Sequence, residues 1–132
     1  MTNHATEQPA RQLAELLDQT LADEWETSAG VLALLVPAPD GELELELCSF
    51  NGHPSEALPQ LPPRPGCVAA CLSALGHLRS LDEPAAPRRR IRSTVGVDHE
   101  GDVSLIRHQE GTVDQLHGVE GELADLLYSM LA

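Results

Sequence analysis

The residues best suited to bind a metal are two cysteines and a nearby histidine in the middle of the chain. Cys67 and Cys71 are four positions apart, and His77 follows in the same apolar segment. A closed zinc site needs four ligands and usually contains a CxxC or HxxxH pair, neither of which occurs here. Free cysteines are also among the most frequently buried residues. We therefore expect both cysteines to be buried in the core, and we predict no metal and no cofactor.

Carboxylates and an imidazole occur together in the segment "DHEGD", which contains Asp98, His99, Glu100 and Asp102. These groups suit general acid–base catalysis, but only in a pocket that orients them and shifts their pKa values. The polar residues and the glycine are equally typical of a tight turn between two strands. An enzyme would gather His99 or His108 with carboxylates in one pocket. We interpret the segment as a turn and predict no catalytic residues.

The segment "GELELELCSF" alternates leucine and glutamate so regularly that it predicts a β-strand with two different faces. One face carries leucine, and the other carries Glu42, Glu44 and Glu46, which we call the acidic stripe. We expect the leucine face to lie against the core and the acidic stripe to face outward. The acidic stripe is therefore the first candidate surface for a partner.

The overall charge restricts the classes of partner that the chain can bind. Its 132 residues carry a formal net charge of −13, with eight arginines and no lysine. Such a field repels nucleic acids and anionic membranes and attracts basic proteins. The chain has one tryptophan, one tyrosine and one phenylalanine, which disfavours a protein that stacks bases. We predict a basic protein partner, no nucleic acid and no membrane.

The sequence also favours a cytoplasmic protein with free thiols. No apolar run reaches the roughly 18 residues needed to span a bilayer. The segment "MTNHATEQPARQ" lacks the basic and apolar regions of a signal peptide. Three cysteines are an odd number, which argues against a disulfide framework in a chain with no export signal.

Local patterns predict a helix and then a hairpin in the first half of the chain. Apolar residues from Leu13 to Trp25 recur at three- and four-residue steps, which is typical of an amphipathic helix. The run "GVLALLVP" has the length of a strand, and Asp40-Gly41 is a turn signal that joins it to the leucine–glutamate strand. Prolines dominate residues 52–66, which predicts an ordered connector.

The second half of the chain predicts a helix, a second hairpin and a closing helix. The segment "CVAACLSALGHLRSL" places its larger apolar residues on one helical stripe. Residues 88–98 and 102–108 alternate as two strands joined by the "HEG" turn. Thr112 and Gln115 have the spacing of a capping box, and apolar residues from Leu116 to Met130 indicate the last helix.

These elements give the order αββαββα in a single α+β domain that spans residues 1–132, with a disordered tail at 1–8. Two hairpins separated by a helix cannot form the parallel sheet of an alternating βα fold. The simplest architecture is one antiparallel sheet of two hairpins with the helices packed on one face.

Two explanations of the acidic stripe follow from this architecture. If the two hairpins are neighbours, the glutamates pair across strands with Arg88, Arg90 and Arg92 and favour the correct register. If they are not, the acidic stripe is open to an arginine- or lysine-rich partner. The sequence leaves both explanations open.

The order of the predicted elements, from the first helix onward, resembles that of a known protein family. An acidic helix ending in "DEW" is followed by a strand, a turn with glycine, the leucine–glutamate strand, a helix and the hairpin "RSTVGVDHEGDVSLIRHQEG". This order resembles the YezG-like bacterial immunity (antitoxin) family. Its members are small cytoplasmic proteins that bind and block a cognate secreted or polymorphic toxin, often one that acts on nucleic acid. The resemblance implies the same function here.

Two further classes of binding protein have a similar order of elements, namely the small acidic chaperones of type III secretion and roadblock-like scaffolds. Both dimerise, so a homodimer is one alternative, and an enzyme of unknown class that uses Asp98 and His99 is another. We predict a non-catalytic acidic protein-binding module that inhibits or neutralises a basic protein. Its predicted partner-binding residues are Glu42, Glu44, Glu46, Asp98 and Glu100.

Overall fold

The computed structural model describes residues 9–26, 29–61, 66–117 and 122–131, and this part of the chain contains three α-helices and six strands. The helices are α1 (Pro9–Thr20), α2 (Pro54–Ala57) and α3 (Glu122–Tyr128). The strands are β1 (Gly30–Pro37), β2 (Leu43–Phe50), β3 (Ala69–Leu78), β4 (Arg89–Asp98), β5 (Gly101–His108) and β6 (Val113–His117). They form one antiparallel sheet in the order β2-β1-β3-β4-β5-β6. The predicted α+β class is confirmed, and the predicted order αββαββα is wrong. The predicted tail at 1–8 lies outside the described residues.

The largest correction concerns β3, which the sequence predicted as a helix. This strand lies between β1 and β4, and its first five residues are all buried. A strand that is covered on both faces needs apolar or small residues at every position, so it loses the alternation that marks a half-buried strand. A continuous apolar run of this kind cannot be distinguished from a buried helix by periodicity alone.

The predicted second hairpin is part of a longer meander, and the closing helix begins later than predicted. Strands β3 to β6 pair consecutively. Thr112 does not begin a helix, because its carbonyl oxygen accepts the His108 N–H in the turn before β6. The predicted capping box is therefore wrong, and only α3 remains of the predicted helix that ended near Met130.

The turns between strands agree better with the prediction. Gly41 has a φ of +91° in the turn between β1 and β2, where the Asp40-Gly41 signal places it. The Asp40 side chain also accepts the Glu42 N–H. The proline-rich connector contains α2 and the 3₁₀ turn Leu58–Gln60 in its described part, while residues 62–65 lie outside it.

The helices pack on both faces of the sheet, which corrects the prediction of a single helix-covered face. α1 lies across β3, β4 and β5, and its Leu17 shares a core cluster with Cys71. Leu127 of α3 belongs to a second cluster with Leu72. Cys71 and Leu72 are consecutive residues of β3, so the two clusters lie on opposite sides of the sheet. The buried positions of both cysteines, Cys67 and Cys71, are as predicted.

Asp98 connects the start of α1 to the turn between β4 and β5. Its Oδ2 accepts the Ala10 N–H at 2.9 Å, and its Oδ1 accepts the N–H groups of Glu100 and Gly101. The first N–H groups of a helix have no partner within the helix, so an acceptor from the sheet fixes where α1 begins. This contact orients α1 along the sheet.

Tyr128, the only tyrosine, gives a pH-dependent test of the α3 packing. Its hydroxyl donates to Asp102 Oδ2 at 2.9 Å. Burial and this hydrogen bond raise the pKa of Tyr128 from 10.0 to about 12. An unfolded chain ionises first, so this contribution to stability is complete below pH 10 and is lost as the pH rises from 10 to about 12. We expect the tyrosinate absorbance of the folded protein to have its midpoint near 12. In Asp102→Asn the midpoint should fall toward 10, and an unchanged midpoint would contradict the contact.

Candidate protein-binding surface

Strand β2 is an edge strand, and the hydrogen bonds of its hairpin determine which backbone groups face outward. Ala38 N–H donates to the Glu42 carbonyl, which makes this a hydrogen-bonded pair. Such pairs alternate with non-bonded pairs along an antiparallel ladder. The backbone groups of Glu44 and Glu46 therefore form hydrogen bonds with β1. Those of Leu43, Leu45 and Leu47 point away from the sheet. Within the described part of the chain, no strand pairs with this edge.

The side chains of Leu43, Leu45 and Leu47 lie on the α1 face of the sheet, and we call them the leucine stripe. Leu45 is opposite Leu35 and Leu47 is opposite Ala33, which belongs to the α1 cluster. The three leucines are 54%, 43% and 60% exposed. The prediction that they lie against the core is wrong, because α1 crosses β3, β4 and β5 and leaves β2 uncovered.

Helix α1 also carries an exposed leucine. Leu16 is 51% exposed and lies about 200° around the helix from Asp18, which contacts Arg107 of β5.

The acidic stripe lies on the opposite face of β2. Glu44 is opposite Val36 and Glu46 is opposite Leu34, both of which belong to the α3-side cluster. Glu44 is exposed, and Glu46 is half-buried. Glu42 lies in the turn just before the strand and is exposed. The predicted alternation of β2 is thus correct, but its acidic side is the one next to the larger core cluster.

The first explanation of the acidic stripe, its pairing with Arg88, Arg90 and Arg92, requires the two hairpins to be neighbours, and they are not. Strands β1 and β3 separate β2 from β4. Arg92 is only 1% exposed on the α1 face, where it donates to the Glu24 carbonyl and to Ser73 Oγ. Arg90 donates to the Trp25 carbonyl. These arginines hold the segment that follows α1, and burial lowers the pKa of Arg92.

The other two predicted partner-binding residues lie away from β2. Asp98 is buried with both carboxylate oxygens hydrogen-bonded, whereas Glu100 is exposed in the turn between β4 and β5. Asp98 lies directly across the sheet from Leu45, with strands β1 and β3 between them, so three inter-strand distances separate the two residues. At about 4.8 Å per spacing, the separation is about 14 Å. Glu100 and the acidic stripe therefore belong to different surfaces.

The two histidines considered for the enzyme alternative lie far apart. His99 lies in the turn before β5 and His108 at the opposite end of that strand, where it pairs with Asp114 at 2.8 Å. Eight residues of strand span about 25 Å, so the two imidazoles do not share a pocket. No group of three or more potential metal ligands occurs in the described ranges.

Comparison of this chain with family models, with curated proteins and with solved structures gave no match. None of the helices in the described ranges is long and apolar enough to cross a membrane. The geometry of β2 is consequently the main basis for a functional proposal. The sequence predicted the two-faced strand but missed the exposure of its leucines, because the alternation does not say which face a helix covers.

Thiol reactivity provides a direct check of this arrangement. Cys48 is exposed on β2, whereas Cys67 and Cys71 are buried. Burial raises the pKa of both buried thiols, and the thiolate is the reactive species. We expect one equivalent of a thiol reagent to react quickly with the native protein and two more only after unfolding in urea. A second rapidly reacting thiol in the native protein would contradict the buried position of Cys67 or Cys71.

Proposed function

We propose that this chain is a non-catalytic protein-binding module that uses β2 as its interface and inhibits or neutralises a basic protein. The observation that carries the proposal is the leucine stripe on an open edge strand. Natural sheets usually protect an edge with charged side chains, proline, a bulge or a covering element. Edge strand β2 carries glutamates on one face, but its other face presents three exposed leucines in eight residues.

Exposed leucines are uncommon in such an arrangement unless a partner covers them. Single exposed apolar residues need no explanation, but a contiguous apolar patch with a polar border is typical of an interaction site. The leucine stripe occupies alternate positions on one face of β2 and lies next to charged residues of the same strand. Burial of such leucines would stabilise a complex, while the acidic side chains would orient the partner and increase its association rate.

The net charge of −13 favours a basic partner over an acidic one. An inhibitor of a nucleic-acid-acting protein fits this charge, because proteins that bind nucleic acid carry basic surfaces. This agrees with the function implied by the resemblance to the YezG-like immunity family, which stays a prediction. The leucine stripe also supports a second candidate, a dimeric chaperone or scaffold that associates through the same leucines.

A capture experiment with matched leucine variants tests the proposal. Immobilised wild-type protein and Leu45→Ser should be compared for retained proteins from a lysate of the source organism at low and high salt. We expect the wild type to retain a basic protein at low salt, and we expect Leu45→Ser not to retain it. Leu81→Ser is the matched control, because Leu81 is 87% exposed in the loop between β3 and β4 and should not affect capture.

Light scattering separates the two candidate functions. A monomer whose captured protein is released by salt supports the inhibitor. A stable dimer that dissociates in Leu45→Ser, with no salt-sensitive partner, supports the scaffold or chaperone. Equal capture by wild type and Leu45→Ser would show that β2 is not the interface.

A further inference from the structure

We infer that the ligand of β2 is an extended segment of another protein that adds a seventh strand to the sheet and alternates apolar with basic residues. This inference rests on the proposed function and specifies the chemistry of the partner. It combines three properties of β2: the direction of its outer backbone groups, the leucine stripe on one face and the acidic stripe on the other.

The outer backbone groups of β2 are suited to bind a strand. Leu43, Leu45 and Leu47 each direct one N–H and one C=O away from β1, as the hydrogen-bonding phase of the hairpin requires. The Val68 N–H donates to the Leu35 carbonyl oxygen, so the backbone groups of Leu35 point toward β3 and away from β2. Leu45 lies opposite Leu35, and its own backbone groups therefore point away from β1, in agreement with the hairpin hydrogen bonds. Extended peptides commonly bind by adding to an exposed edge in this way.

The two faces of β2 determine the pattern of side chains that the added strand needs. Residues opposite each other on neighbouring strands share a face, and successive residues alternate. Side chains of the added strand on the leucine-stripe side would contact Leu45 and its neighbours, and those between them would lie beside Glu44 and Glu46. Apolar residues fit the first set of positions, and lysine or arginine fits the second.

A second copy of this chain fits the edge less well than a basic strand does. Antiparallel pairing of two β2 strands centred on Leu45 would place Glu44 of one copy opposite Glu46 of the other, twice in each dimer. Like charges directly opposite each other are unfavourable. Each copy also contributes a net charge of −13, so long-range repulsion acts in the same direction.

Synthetic peptides test this inference without knowledge of the natural partner. The first probe is a capped peptide of about seven residues that alternates valine and lysine, the length of an ordinary strand. A second has the same composition in an order that breaks the alternation, and a third replaces lysine with glutamate. Binding to the full chain is measured by calorimetry at low and moderate salt. We expect the alternating basic peptide to bind about tenfold or more tightly than either of the others.

Hydrogen exchange identifies the mode of binding. In the free protein the amides of Leu43, Leu45 and Leu47 should exchange quickly, while those of Glu44 and Glu46 are protected by β1. The alternating peptide should slow the three leucine amides about tenfold or more. Glu44→Lys should weaken binding of the lysine peptide and improve binding of the glutamate peptide, and Leu81→Ser should leave both unchanged.

The outcomes distinguish failure of this inference from failure of the proposed function. Equal binding of the alternating and rearranged peptides, or unprotected leucine amides, would overturn strand addition. If Leu45→Ser still abolishes capture of a basic protein in that case, β2 remains an interface that recognises a folded surface. If neither peptides nor captured proteins depend on Leu45, both proposals are wrong.

Discussion

Replacing Gly96 with alanine is expected to lower the free energy of unfolding by about 2–3 kcal/mol. Gly96 lies in β4 beneath α1, and a Cβ there would come within 2.6 Å of the Ala10 carbonyl oxygen and 3.3 Å of Ala14 Cβ. The first contact is with helix backbone, which cannot rotate away as a flexible side chain can. α1 would have to move off the sheet, and its displacement would weaken the contact between Asp98 and the Ala10 N–H.

Gly76→Ala is the matched control for this substitution. Gly76 lies in neighbouring strand β3, but among the described residues no heavy atom beyond Gly76 and its two chain neighbours lies within 4 Å of a Cβ placed there. Its replacement should leave stability unchanged or raise it by about 0.4–1 kcal/mol, since alanine restricts the unfolded chain. Urea titration followed by the fluorescence of Trp25, the only tryptophan, measures both variants. Equal effects at the two glycines would contradict close packing of α1.

Local signals in the sequence were sufficient for the elements whose pattern comes from a single covered face or a specific turn. The periodic leucines of α1, the Asp40-Gly41 turn and the "HEG" turn occur where they were predicted, but α1 ends at Thr20 and does not reach Trp25 as predicted. β3 was mistaken for a helix because its neighbouring strands and the helices on both faces bury every residue of its first half. That cover depends on strand order, which no local pattern contains.

The same limit explains the result at the candidate surface. The alternation of leucine and glutamate in β2 fixes two faces, and both were predicted. Whether the leucine face is covered depends on how far α1 extends across the sheet, and the main contacts of α1 are with β3, β4 and β5. The residue pattern of an exposed leucine face is the same as that of a buried one, so the leucine stripe could not be distinguished from core.

Asp18→Asn is expected to lower the free energy of unfolding by about 3–5 kcal/mol, because it removes the buried negative charge that pairs with Arg107 and also attracts Arg92. Asp18 is 3% exposed, and its two oxygens accept Arg107 Nε at 3.1 Å and an Arg107 terminal nitrogen at 2.8 Å. This bidentate contact raises the pKa of Arg107. Arg92 is directly opposite Arg107 in the sheet and is almost fully buried. An asparagine amide supplies one acceptor and no charge, so Arg107 would lose its counter-ion and Arg92 would lose one of the two carboxylates that attract it.

Asp114→Asn is the matched control, because Asp114 pairs with His108 at the same 2.8 Å while its side chain is 62% exposed. A surface pair of this kind contributes about 0–1 kcal/mol. Urea titration should therefore separate the two variants clearly, and similar small changes in both would show that the Asp18 charge is not needed in the core.

A double variant tests whether Arg92 belongs to the same electrostatic unit as Asp18 and Arg107. Arg92→Met retains a long apolar side chain but removes one of the two positive charges. If the charges are coupled, Asp18→Asn combined with Arg92→Met should lose less stability than the sum of the two single variants, by about 0.5–3 kcal/mol. Strict additivity would mean that Arg92 is stabilised by its bonds to the Glu24 carbonyl and Ser73 alone. In the coupled case, the charge of Asp18 keeps both arginines in place under α1, and with them the segment from Glu24 to Trp25 that they hold against the sheet.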